Sequence, residues 1–127
     1  MNETKEKRLE IVNKLIEKIS SVSRRFFYNK SDGSIAYFKF INNRLYFIDD
    51  YTKAHIYAYG NKYFNEFSHG GTLQALVLEF SEFIRTGGNV NGKQGYAGLH
   101  CQFWGYDKES QDEVIAYAKE IGYLKEE

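Results

Sequence analysis

The stretch IAYFKFINNRLYFIDD, residues 35–50, decides the fold. Apolar and aromatic residues fill both halves, and Asn42-Asn43 stands between them. Asparagine tolerates the left-handed backbone that a tight hairpin turn requires. The stretch therefore predicts two antiparallel strands, 35–41 and 44–50. Side chains alternate along a strand, so Phe38 and Phe40 share one face and Tyr37 and Ile41 the other. Apolar residues on both faces fit a sheet covered on both sides, or one used in assembly.

The pattern continues on either side. RRFFY (24–28) reads as a strand, and NKSDGS carries the turn pair Asp32-Gly33. KAHIYAYG (53–60) reads as a further strand, which makes an antiparallel meander of four. LHCQFW (99–104) would add a fifth.

Three helices surround the strands. In residues 4–22, Leu9, Val12, Leu15, Ile16, Ile19 and Val22 recur at helical spacing, with Thr4 as the expected cap. Ile11 widens that stripe, which suggests more than one neighbour: the sheet, or the sheet and a second subunit. Thr72 is expected to open a central helix whose stripe is Leu73, Leu76, Val77, Phe80, Phe83 and Ile84. Gly87 is its expected stop. A last helix has two candidate N-caps, Asp107 and Ser110, the latter forming a capping-box pattern with Glu113. Val114, Ile115, Ala118 and Ile121 form its buried face, and Gly122 ends it. The expected fold class is α+β in one domain, 1–127: an N-terminal helix, an antiparallel meander of about four to five strands, and central and C-terminal helices packed on the sheet.

Composition narrows the function. Of 127 residues, 43% are hydrophobic, enough for a core, and the formal net charge is zero. A general DNA or RNA binder shows a basic excess, so none is expected as partner. Acidic residues dominate 105–127, as on a solvated helix face. No apolar run is long enough to span a membrane. The start, MNETKEKRLEIVNK, lacks the apolar core of a signal peptide, so a cytoplasmic location is expected. Cys101 is the single cysteine, which excludes an intrachain disulfide. Proline is absent, and there are 11 tyrosines and 10 phenylalanines. Tyrosine combines area with a polar tip, which suits a sheet core and equally a ligand or partner surface.

Enzyme signatures are missing. His55, His69, His100 and Cys101 lack metal-ligand spacing, and Asp49-Asp50 reads as turn chemistry at a strand end. No phosphate loop or dinucleotide fingerprint follows a strand. No nucleophile stands with a base. The expectation is a non-enzyme without metal, cofactor or catalytic residue.

Two segments offer binding chemistry instead. SHGGT (68–72) sets His69, Gly70, Gly71 and Thr72 at a helix start, where free N–H groups favour an anion such as phosphate. An ordinary glycine-rich turn with a Thr72 cap is the other reading. Beyond the same helix, Arg85, Asn89, Asn91, Lys93 and Gln94 lie close in sequence to Phe83, Tyr96, Phe103, Trp104 and Tyr106. Aromatic faces beside Asn and Arg donors are what a nucleobase requires. Trp104 and Phe103 are equally suited to the core.

The segments GGTLQALVLEFSEFIRTG (70–87), FWGY (103–106) and SQDEVIAYAKEIGYL (110–124), behind an aromatic meander, resemble the first family of Thoeris anti-defence proteins. These are phage sponges that sequester cyclic ADP-ribose signals made by bacterial TIR-domain enzymes. The resemblance covers most of the chain and rests on element order and a few residues. It implies a non-enzymatic homo-oligomer, dimer or higher, with ligand sites between subunits, in the cytoplasm of an infected bacterium. It assigns base stacking to Phe83 or Phe80 and the loop role to Asn89 or Asn91. The chain departs from the pattern in one respect: no arginine follows Arg85. Lys108 or Lys119, or Arg24, Arg25 or Arg44 from a second copy, would have to serve. Cyclic oligonucleotides are further ligands of the same chemistry. A rival reading is a phage inhibitor that binds a host defence protein directly, like an anti-CRISPR, through its tyrosines and acidic tail. A nucleotide-processing enzyme is disfavoured by the missing acid–base set.

Overall fold

The computed structural model describes residues 3–22, 25–57, 71–87 and 107–123, without the side chains of Glu3 and of residues 71–75. Its elements are α1 (Glu3–Ser21), β1 (Tyr37–Ile41), β2 (Arg44–Ile48), β3 (His55–Ile56), α2 (Gly71–Thr86) and α3 (Lys108–Glu120). The described strands form an antiparallel sheet in the order β1-β2-β3. The architecture is α+β, as the hydrophobic patterning predicts.

The β1–β2 hairpin follows the Asn-Asn reading. Asn42 and Asn43 take φ of 52° and 66°, and Ile41 pairs with Arg44 across the turn. Register places Tyr37 opposite Ile48, Lys39 opposite Tyr46, and Ile48 opposite His55. Phe38, Leu45, Phe47 and Ile56 therefore share the inner face, and all are buried in the core. Phe27, Phe38 and Phe47 meet edge to face there, with centroids 5.9 and 5.4 Å apart. That geometry suits the ring quadrupole.

The expected strand over 24–28 is corrected. Among the described residues only the bridge Tyr28–Ile35 joins this segment to the sheet. Arg25 and Phe27 take φ of 54° and 65°, which no strand tolerates. The reason is burial. The Phe27 ring is fully enclosed, and its carbonyl accepts from Ala36 N at 2.9 Å. A left-handed residue costs about 1–2 kcal/mol, and burying a phenylalanine returns about 1.5–3 kcal/mol. The Asp32-Gly33 turn forms as expected, with Gly33 at φ 78° and Asp32 Oδ1 accepting from Ser34 N. Of the expected strand 53–60, only His55–Ile56 forms a strand among the described residues; Lys53 stands in the turn at φ 61°, and residues 58–60 and the strand expected at 99–104 lie outside the described residues.

Helix α1 packs against β1, α2 and α3. Val12, Leu15, Ile16 and Ile19 are fully buried, and Ile11 packs partly buried against the core. Thr4 lies inside the helix rather than at its cap. The Asn13 amide clamps β1: Nδ2 donates to Phe38 O at 3.1 Å, and Oδ1 accepts from Phe38 N at 2.7 Å. One side chain thus satisfies both backbone groups that Phe38 turns away from β2.

Helix α3 is capped by Asp107, not Ser110. The Asp107 carboxylate accepts from Ser110 N at 3.1 Å and from Ser110 Oγ at 2.8 Å. Serine at the third helical position here donates to the cap, so the Ser110–Glu113 box is not used. At the other end Gly122 takes φ 93°; its N–H donates to Lys119 O, and Tyr123 N donates to Ala118 O. This is the paired bonding of a Schellman turn, which folds the following apolar residue back onto the protein. The residue delivered is Tyr123, 1% exposed.

Candidate functional site

Helix α2 carries the stripe read from sequence, and from Leu76 onward that stripe faces the core, the side chain of Leu73 lying outside the described residues. Leu76, Val77, Phe80 and Ile84 are fully buried, and Phe83 is 7% exposed. The Tyr123 ring meets Phe80 at 5.4 Å and Phe83 at 4.7 Å. Phe80 and Phe83 are thus brought together around a tyrosine, and Phe80 turns no face to solvent. The spacing that makes them conspicuous is the spacing of a core stripe.

A carboxylate sits inside the same layer. Glu79 is buried, and its Oε2 accepts from the Tyr123 hydroxyl at 2.8 Å. Its Oε1 has no hydrogen-bond partner among the described residues. Burial raises the Glu79 carboxyl above its ordinary value, while the Tyr123 hydroxyl pulls it down. Burial, then the Glu79 charge, holds the Tyr123 phenol well above its usual range.

The ends of α2 differ in kind. Its first residue is Gly71, inside the glycine pair, and its first turn holds no acidic residue. Backbone N–H groups there lack intrahelical partners. The far end is closed by Arg8 of α1. Arg8 Nε donates to Ile84 O at 2.9 Å and Nη2 to Arg85 O at 3.2 Å. Gly87 is the left-handed stop, at φ 78°, with its N–H on Phe83 O at 2.8 Å. The Arg85 side chain is exposed, 3.6 Å from Glu82. His69, Gly70, Asn89, Asn91, Trp104 and Tyr106 lie outside the described residues, as does the side chain of Thr72.

A second polar centre lies at the turn end of the sheet. Asp49 Oδ2 accepts from Tyr51 N and Thr52 N, at 2.9 and 3.0 Å, so this acid is turn chemistry as expected. The turn throws Lys53 into φ 61°. The Lys53 ammonium then bonds Ser34 Oγ at 2.6 Å, Asp50 O at 2.7 Å and Asp32 Oδ2 at 2.9 Å. Hydrogen bonds from Ser34 and then Lys53 hold the Asp32 carboxyl at about 2. Asn29 Nδ2 joins the same Asp50 carbonyl at 3.0 Å. This knot ties the 29–34 turn to the β2–β3 turn. A hollow of about 350 Å³ opens beside it, lined by Ser34, Ile35, Tyr37, Ile48, Asp49, Asp50, Lys53 and His55. On the other side of β1, a groove of about 420 Å³ lies between Leu9, Phe38 and Phe40, with Glu6, Glu10 and Lys39 also lining it.

Three groups escape the motif reading: Arg8, Asn13 and the Glu79–Tyr123 pair. Asn13 and Glu79 did leave a trace, since each is a polar residue at a stripe position, four from Leu9 and three from Leu76. Arg8 left none. Among the described residues no group of His, Cys, Asp and Glu stands close enough to hold a metal ion, and no helix is long and apolar enough to cross a membrane.

No solved structure matches this chain. A relative in Bacillus subtilis strain 168, the SPbeta prophage-derived uncharacterized protein YoqU, is 39% identical over 126 residues, covering 98% of this chain and 88% of its own length. A family described as YoqU matches residues 2–127. With a match across nearly the whole chain and a prophage-encoded relative of the same extent, the protein belongs to the YoqU family.

Proposed function

We propose that this protein is a phage-derived sponge: it binds a cyclic nucleotide immune signal, a cyclic ADP-ribose isomer above all, and withholds it without cleaving it. The prophage origin of its relative supports the setting. The observation that carries the ligand class is the start of α2. A helix of 16 residues opens at Gly71, within the glycine pair and with no carboxylate in its first turn. Free N–H groups at such an end favour an anion, and a glycine lets phosphate oxygens approach the backbone. The sponge acts in the cytoplasm of the infected host as a homo-oligomer, and neither DNA nor RNA is its target.

The test is binding followed by recovery. Purified protein is titrated calorimetrically with cyclic ADP-ribose isomers and cyclic di- and trinucleotides, then heat-denatured, and the released ligand is analysed. Tight binding with intact release supports the sponge. Release of an altered product makes the protein an enzyme. No binding across the panel moves the reading to a direct inhibitor of a host defence protein. Two exposed aromatic residues favour that second reading: Tyr37 at 43% and Tyr51 at 47% exposure, both near the hollow end of the sheet.

A further inference from the structure

With Phe80 fully enclosed and Phe83 nearly so, a nucleobase needs another aromatic surface. From the outer face of the sheet we infer that this face is a base-stacking and phosphate-neutralising platform for a free nucleotide. The inference rests on the nucleotide reading above, but it places the ligand's phosphates on this face instead of at the start of α2.

Register fixes what the face carries. One cross-strand row is Tyr37, Ile48 and His55; the next is Lys39 and Tyr46, with Tyr57 following on from His55. Arg44 stands two residues before Tyr46 on the same strand. Tyr37, Lys39, Arg44 and His55 are exposed, and Tyr46 and Tyr57 are half-buried. None of these positions is acidic. A neutral chain thus sets two permanent cations and three tyrosines on one side of a small sheet.

The rings of this face already contact one another, tilted rather than coplanar. Tyr46 lies 6.2 Å from Tyr57 and 6.3 Å from His55, tilted by 58° and 51°. The Arg44 guanidinium lies over Tyr57, 4.9 Å from its centroid. Arg25 covers Tyr28 in the same way at 3.8 Å, beside the bridge to Ile35. A guanidinium that stacks on a ring can keep that contact while its edge donates to phosphate. Stacking on a sheet of aromatic residues, with cations at the margin, is how single nucleotides in loops and strands are held by proteins. Cα atoms of diagonal cross-strand neighbours are about 7–8 Å apart, so Lys39 and Arg44 flank Tyr46 at a span that two phosphates of one ligand can bridge.

The hollow supplies concavity. It opens between Tyr37 and His55 over Ile48, on the same face. At about 350 Å³ it is within the range of small-ligand sites. The hollow itself is not the phosphate site, since Asp49 and Asp50 also line it. The three donors of Lys53 already meet Ser34, Asp50 O and Asp32. It accepts the base or sugar, and the phosphates lie toward Lys39 and Arg44.

The experiment uses ADP-ribose, adenosine, pyrophosphate and single-stranded U12 RNA as probes, beside any panel member that binds. Arg44 is the better charge probe, because Lys39 also lines the groove that holds Glu6 and Glu10. Arg44→Glu and Tyr37→Ala change exposed side chains, so folding is retained, and circular dichroism with thermal melting checks it. The expected result is that a base-plus-phosphate probe binds more tightly than adenosine or pyrophosphate. Each variant then weakens it about tenfold or more, and Arg44→Glu flattens the salt dependence. Binding of the parent with both variants unaffected overturns the platform while leaving the sponge reading intact. Absence of binding by the parent to any nucleotide overturns both. Tighter binding of U12 than of every free nucleotide overturns the assignment in favour of a strand.

Discussion

Replacing Tyr123 by phenylalanine isolates one oxygen in the core. The ring remains, so its contacts with Phe80 and Phe83 persist. What disappears is the hydroxyl that donates to Glu79 Oε2 at 2.8 Å. Glu79 Oε1 has no partner among the described residues, so the carboxyl loses the one hydrogen bond seen to hold it. A buried hydrogen bond to a charged group is worth about 1.5–3 kcal/mol. The expected loss for Tyr123→Phe at pH 7.5 is therefore about 2 kcal/mol. For a domain of this size that is roughly 6–10 °C in Tm. The loss depends on pH in a defined sense. Burial raises the folded Glu79 carboxyl above its unfolded value. The stability tied to its protonated form is full below the unfolded value and is lost as pH rises through the folded one. Removing the hydroxyl raises the folded value further. The cost of Tyr123→Phe therefore grows with pH, and shrinks to about 1 kcal/mol or less at pH 4. Glu79→Gln is the companion, since it keeps an acceptor for the phenol and deletes the charge. It should stabilise the protein at pH 7.5 and give no gain at pH 4. Urea denaturation of parent and both variants at the two pH values measures all of this. If Tyr123→Phe costs the same at both, or Glu79→Gln destabilises at pH 7.5, the carboxyl is not a buried charge held by that phenol.

Other perturbations follow from single contacts. Asn13→Leu leaves Phe38 N–H and C=O unmatched on the edge of β1, and should cost about 2 kcal/mol in urea melts and increase aggregation by light scattering. Arg8→Ala removes two bonds to the last carbonyls of α2 and should cost about 1–2 kcal/mol. Gly87→Ala should cost about 1 kcal/mol, read by thermal melting; the new Cβ meets the Arg8 guanidinium at an ordinary 3.5 Å, so the penalty is the left-handed backbone alone. Phe83→Ala should lower stability by about 3–5 kcal/mol whether or not a nucleotide is present, with Leu78→Ser, at 39% exposure, as a near-neutral control on the same helix.

Local rules were most readable where a single residue type settles the backbone. Asn42-Asn43, Gly33, Gly87 and Gly122 all stand at positive φ; Val12, Leu15, Ile16 and Ile19 of the α1 stripe, and Leu76, Val77, Phe80, Phe83 and Ile84 of the α2 stripe, are buried as their spacing implies. The misreadings come from competition between local and distant terms. RRFFY has strand composition, but the core takes Phe27 and bends the chain into φ 65° to do so. Ser110 fits a capping box, but Asp107 lies three residues earlier and starts the helix there, accepting from Ser110 N and Ser110 Oγ. The candidate site was hardest to read, because a stripe of phenylalanines supports a core and a stacking pocket equally until a partner is known. Here the partner is Tyr123, some forty residues on, and only the left-handed Gly122 turn brings it there.

The two faces of the sheet differ in what they contribute to folding. Inward residues meet α1, and two polar side chains at or near the core make specific bonds: Asn13 to Phe38, and Glu79 Oε2 to Tyr123. Outward residues make ring–ring and ring–cation contacts of about 5–6 Å, which contribute little to stability at exposed sites. The exposed residues of that face, Tyr37, Lys39, Arg44 and His55, are where substitutions report on binding with least effect on the fold. The Phe83 and Arg44 variants thus separate two accounts of this protein. If ligand binding tracks stability, and fails first in Phe83→Ala, the site lies at the helix and depends on the core. If binding fails in Arg44→Glu while the melt is unchanged, the sheet carries it.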